Sequence, residues 1–225
     1  MKKFDSEIAA VEKRIVEMSK VAKNMVTLAV GAVKERTRDV SQEVAELEKQ
    51  INQMQTEIDQ DAIRMLTVFG PVASNLRYLL VCTHITAKLE RMGDQVVNVC
   101  DSLRMMTSDP ATHPVLESLR RMADLVDQMV VDALQAYYRR DPKSAATTRT
   151  RDDVVDALND QIVKELLTDE VLRDVLSGAE NIADAVAQIL LARQLERIAD
   201  QATNICKEVI YMVRGDDVRH KKREG

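Results

Sequence analysis

Two carboxylates four residues apart, with an amide oxygen one helical turn further on, offer a hard cation three oxygen donors. This chain carries that set twice. Leu89 to Cys100 reads LERMGDQVVNVC and Leu195 to Cys206 reads LERIADQATNIC, with 106 positions between Glu90 and Glu196. Leu, Glu, Arg, Asp, Gln, Asn and Cys recur in the same slots, and Met92/Ile198 and Val99/Ile205 are conservative exchanges. Self-similarity at a fixed period implies two copies of one structural unit. At about 100° per helical residue, Glu90, Asp94, Asn98 and Asp101 share one arc, nearly opposite Leu89, Met92, Val96, Val99 and Cys100. Glu196, Asp200 and Asn204 stand in the same relation to Leu195, Ile198, Ala202 and Ile205.

Like charges at this spacing are mildly destabilising unless something compensates them. The bland reading is a solvated helix face whose acids pair with nearby Arg or Lys. Duplication weighs against it, because unconstrained surface positions drift, whereas here the charged slots match. A cation bridging to a neighbouring helix supplies the compensation. Oxygen donors without His or Cys point to Mg, Mn, Ca or Fe rather than structural zinc. The neighbours offer matching ladders. Glu48, Asn52, Gln55 and Asp59 are spaced four, three and four apart, and Asp152, Asp156 and Asn159 are spaced four and three.

Positioning such ladders needs long helices, and the composition supplies them. Of 225 residues 45% are hydrophobic and 31% charged, aromatics are only 3%, and there is no Trp. The core is therefore aliphatic and the chain folded. All four prolines sit between periodic stretches. Apolar residues at three- and four-residue steps predict a helix from Asp5, with Asp5 or Ser6 as cap, to about Arg38. A second runs from about Gln42 to Phe69 and stops at Gly70-Pro71; a third runs from Pro71 to about Met106. After a linker at Ser108 to His113, a fourth runs from Pro114 to near Arg140. A fifth starts near Ser144 and turns at Ser177-Gly178, or earlier at Thr168-Asp169, and a sixth stops at Gly215. Short connections make antiparallel neighbours. The fold class is all-α: two tandem antiparallel three-helix bundles, residues 1–107 and 114–215, with a basic tail over 216–225.

A net charge of −5 argues against general nucleic-acid binding. No apolar run reaches the ~20 residues needed to span a bilayer, and there is no signal-peptide pattern. Three cysteines without a C-x-x-C predict reduced thiols in the cytoplasm, with Cys100 and Cys206 as core residues. No Walker-type loop or nucleophile elbow is present. A di-iron bundle enzyme or iron store is the alternative from another class. It calls for Glu-x-x-His on interior faces, and none of the three histidines has that context. A plain helical scaffold is the third reading.

The same residues resemble a known family. LERMGD and LERIAD, each followed by Asn at one distance, are similar to the signature of the PhoU family of phosphate-uptake regulators. GPVASNLR (Gly70 to Arg77) resembles its helix opening, Glu48 to Asp59 and Asp152 to Val163 its paired second-helix segments, and Val209 to His220 its C-terminal run. The resemblance implies two three-helix bundles with multinuclear metal sites. Carried over, the ligands are Glu48, Asp59, Glu90 and Asp94 in one unit and Asp152, Asp156, Glu196 and Asp200 in the other. It further implies a non-enzymatic, cytoplasmic negative regulator of phosphate uptake and of the phosphate-starvation (Pho) regulon. Its partners would be the ATPase subunit of a phosphate ABC transporter and a phosphate-sensing histidine kinase. Membrane association would be peripheral at most. The resemblance also implies a homodimer, an assembly that the spacing leaves open. Gln55 and Asn159 stand where the family has Glu, and Asn75 where it has Asp, so weaker metal binding or fewer ions per site is expected.

Overall fold

The computed structural model describes residues 2–36, 39–111, 114–168 and 179–218. The described secondary structure is helical: α1 Lys2–Glu35, α2 Ser41–Phe69, α3 Ser74–Arg104, α4 Glu117–Arg139, α5 Pro142–Arg149, α6 Asp152–Leu166 and α7 Ala179–Arg214. The apolar stripes become the core. Ile15, Met18, Ala22, Met25 and Ala29 of α1 are fully buried, as are Ile51, Ile58 and Met65 of α2 and Leu89, Met92, Val96 and Val99 of α3. Cys82, Cys100 and Cys206 are buried free thiols. Burial raises all three, Cys82 and Cys206 to about 12, which keeps them protonated packing residues.

Helices α1, α2 and α3 pack on one another, and α4, α5, α6 and α7 form the second set. The most extensive helix pairing joins the sets, α3 against α7, with α1 against α4 beside it. One hydrophobic core therefore runs through both repeats. Polar contacts fasten the seam: Lys34 to Asp124 at 2.8 Å, Thr27 to Asp127 at 3.0 Å, and buried Glu208 facing His84 at 3.3 Å and Lys88 at 3.5 Å. Among the described residues no helix is long and apolar enough to cross a membrane.

Several boundaries differ from expectation for identifiable reasons. Asp5 and Ser6 lie inside α1 rather than capping it, and Ser6 Oγ donates back to the Lys3 carbonyl. Helix α1 stops at Glu35 because Arg36 turns left-handed, at φ 51°. Gly70 caps α2 in the left-handed conformation as expected. Pro71 does not open α3, which begins at Ser74 after Ala73 at φ 51°. The expected fifth helix is two. Thr147, Thr148 and Thr150 each donate a side-chain hydroxyl to a carbonyl three or four residues back. Such back-bonding bends helices, and the break falls between Arg149 and Asp152. Leu166 ends α6. The turns placed at Asp169 and at Ser177-Gly178, and the tail from Arg219, lie outside the described residues.

Candidate metal site in the repeated acidic grooves

Helix α2 buries Val44, Ile51, Ile58, Ala62 and Met65, which leaves Glu48, Asn52, Gln55 and Asp59 half-buried along its flank beside α3. Helix α3 sends Leu89, Met92 and Val96 inward, so half-buried Glu90 and exposed Asp94 line the facing wall. The ladders are thus not a free surface ridge but the two sides of a helix–helix groove.

Electrostatics show which acids meet. Glu90 is held above the usual carboxylate range by burial, then by Asp94, and also by Glu48 across the groove. Asp94 is raised by burial and by Glu48. In the second repeat Glu196 is raised by burial, Asp156 and Asp200, and Asp200 by burial, Asp152 and Asp156. The first groove gathers three carboxylates and the second four. The difference falls at Asn52, because Glu48, Ile51 and Ile58 correspond in order and burial to Asp152, Val155 and Ile162, which places Asn52 opposite Asp156.

Asp59 stands apart. It lies eleven residues from Glu48, roughly 16 Å along the helix, and burial alone raises it. The structure brings Glu48, Glu90 and Asp94 together, and Asp152, Asp156, Glu196 and Asp200 together, but does not join Asp59 to either set.

Amides occupy part of each groove. Asn52 Nδ2 donates to Glu48 Oε1, and Asn159 Nδ2 donates to Glu196 Oε2 at 2.7 Å. Two groups escaped the sequence reasoning. Thr203 Oγ1 donates to Asp152 Oδ1 at 3.0 Å, and Lys207 Nζ donates to Asn204 Oδ1 at 3.0 Å while drawing Asp200 back down. Lys207 was visible in principle, three residues beyond Asn204 on the same helix. Thr203 was not, since its partner lies 51 residues away.

The donor set fits a hard cation. The oxygen donors of the grooves are mainly carboxylates and amides, and buried Asn52 Oδ1 and Asn159 Oδ1 have no hydrogen-bond partner. Carboxylates raised by one another favour the uptake of positive charge. Among the described residues no three acidic, imidazole or thiol groups already enclose a single point.

Helices in two homologous sets, each with an acidic groove between its second and third helices, define a duplicated helical-bundle protein. Comparison with known proteins gives the class a family. The PhoU domain matches twice, over residues 15–103 and 119–209. Over 217 residues the chain is 32% identical to the phosphate-specific transport system accessory protein PhoU homolog of Pseudomonas putida, covering 96% of this chain and 83% of that protein. It is 29% identical to the Escherichia coli (strain K12) accessory protein PhoU, covering 96% and 88%. The crystal structure of PhoU from Pseudomonas aeruginosa superposes with a TM-score of 0.84 at 29% identity, over 95% of this chain and all of that one. The phosphate transport system regulatory protein PhoU from Streptococcus pneumoniae shares the fold, with a TM-score of 0.83 at 23% identity over 96% and 99%. The chain belongs to the PhoU family.

Proposed function

We propose that this protein is a non-enzymatic accessory regulator of phosphate uptake that represses the phosphate-starvation (Pho) regulon when phosphate is plentiful. The observation that carries this reading is the end-to-end match to accessory proteins of the phosphate-specific transport system, with a PhoU domain in each repeat. In this reading it works in the cytoplasm as a homodimer, between the ATPase subunit of a phosphate ABC transporter and a phosphate-sensing histidine kinase.

The acidic grooves are its metal sites, taking Mn, Mg or iron. Glu48, Glu90 and Asp94 would hold an ion in the first repeat, and Asp152, Asp156, Glu196 and Asp200 in the second. A bound ion supplies charge compensation and cross-links the second and third helices of each set. Thr203 keeps Asp152 oriented, and Asn52 and Asn159 fill positions where a further carboxylate would add charge. Asp59 belongs to the proposed set only if a second ion sits further along α2. An iron-storage role has less support, because His84, the one described histidine, faces Glu208 across α3 and α7 rather than either groove.

Deleting the gene and reading a phosphate-starvation reporter in phosphate-rich medium tests the regulatory role. Derepression is expected, and normal repression in the deletion strain would overturn it.

A further inference from the structure

A second charged feature lies away from the acidic grooves and owes nothing to the regulatory reading. Where α4 turns into α5, a groove of about 340 Å³ is lined by Asp132 and Arg139 of α4, Lys143, Ser144 and Thr147 of α5, and Arg151 beyond it. Three cations face one carboxylate in a chain whose net charge is −5. That carboxylate is already engaged: Asp132 holds Arg151 at 2.5 Å and accepts Gln128 Nε2 at 2.8 Å. The nearby Asp141 is occupied as the α5 cap, accepting from the Lys143 and Ser144 backbone and from Ser144 Oγ. Among the described residues the Arg139 guanidinium and the Lys143 ammonium take no ion pair or side-chain hydrogen bond.

Comparing the repeats shows that the fold does not need these cations. Arg36 and Arg140 each turn left-handed at φ 51° at the end of the first helix of their set, which fixes an offset of 104 there. In that register Arg139, Lys143, Thr147 and Arg151 correspond to Glu35, Asp39, Glu43 and Leu47. At these positions the first repeat carries three carboxylates and no cation. Arg139, in the last turn of α4, suits the helix dipole, but Lys143, in the first turn of α5, sits at the end where a cation is disfavoured. Helix stability therefore accounts for one of the two and not the other.

We propose that this corner binds an anion carrying two linked phosphoryl groups, a diphosphate. Arg and Lys beside hydroxyl donors are suited to phosphoryl oxygens. The groove's volume of about 340 Å³ is more than one tetrahedral anion fills, and its lining has no aromatic ring on which a base would stack. Recognition rests on the diphosphate, whether free or borne by a nucleoside.

The test is calorimetric titration of metal-free full-length protein with pyrophosphate, ADP and orthophosphate at low ionic strength. Pyrophosphate should bind, more weakly as salt screens the cations. Arg139→Glu with Lys143→Asp installs the first repeat's residues, and should weaken binding by about 100-fold, roughly tenfold per lost cation, with helix content unchanged. Lys143→Gln alone should cost about tenfold on the same basis, which keeps the test decisive if the double variant misfolds. ADP binding as tightly as pyrophosphate supports the site and shows that it admits a nucleoside-borne diphosphate; pyrophosphate alone supports it and assigns the free anion. The proposal is overturned by no pyrophosphate binding, by equal binding of orthophosphate, or by undiminished affinity in the variants.

Discussion

Replacing Asp200 by Asn should stabilise the metal-free protein and remove the second groove's share of its stabilisation by metal, two effects of opposite sign from one substitution. The first follows from the groove itself. Asp200 sits above the usual carboxylate range through burial and through Asp152 and Asp156, so its charge at neutral pH opposes folding. Its residue is exposed, so the relief is limited to the scale of surface pairs, up to about 1 kcal/mol. For a chain of this size that raises Tm by about 2–4 °C. The second effect follows from mass action. Mn at a hundredfold excess over Kd should add about 2.7 kcal/mol for each groove it fills, a rise in Tm of roughly 5–10 °C per groove. Calorimetric scans with chelator and with Mn measure both. A variant less stable than wild type without metal, or one whose Mn increment equals that of wild type rather than falling by one groove's share, would refute the reasoning.

Further predictions rest on the same contacts. Glu90, Asp94, Glu196 and Asp200 are all raised in the fold, so their contribution to metal-free stability is fully present below the usual carboxylate range. It is lost as pH rises through the raised values. Metal needs these groups ionised, so the Mn-dependent gain should shrink as pH falls through the same window, read by melting from pH 7 to pH 4. Asn52→Asp supplies the first groove with the acid that Asp156 supplies to the second, and should tighten cation binding there by about tenfold in titration calorimetry; unchanged affinity would separate Asn52 from the site. Asp184→Asn should cost about 3–5 kcal/mol in urea unfolding, because it removes the buried carboxylate that pairs with Arg36 at 3.2 Å. The same carboxylate also accepts from the Thr107 and Ser108 backbone and from Ser108 Oγ, so a loss below about 1 kcal/mol would show the seam to be dispensable.

Helix identity was legible in the sequence because a three-to-four-residue apolar stripe has one good solution, and Gly70 and Gly215 mark two stops plainly. Arg36 and Arg140 do not, since nothing in an Arg signals a left-handed cap. The Thr147–Thr150 bend arises from hydroxyl back-bonds, which a periodicity count ignores. The acids were found by type and spacing, but a helical wheel has no axial coordinate. It placed Asp59 with Glu48, although eleven residues separate them. Nor could it show that Glu48 reaches Glu90 and Asp94 while Asp156 reaches Glu196 and Asp200. Arg36–Asp184, the buried pair that ties the repeats, joins residues 148 positions apart and left no local trace.

The central claim is that the paired acidic grooves are the working part of a phosphate regulator. Complementing the deletion strain with Asp94→Asn/Asp200→Asn tests it most directly, with a phosphate-starvation reporter in phosphate-rich medium and protein levels checked. Wild-type protein should restore repression and the folded double variant should not. Full repression by the double variant would contradict the account.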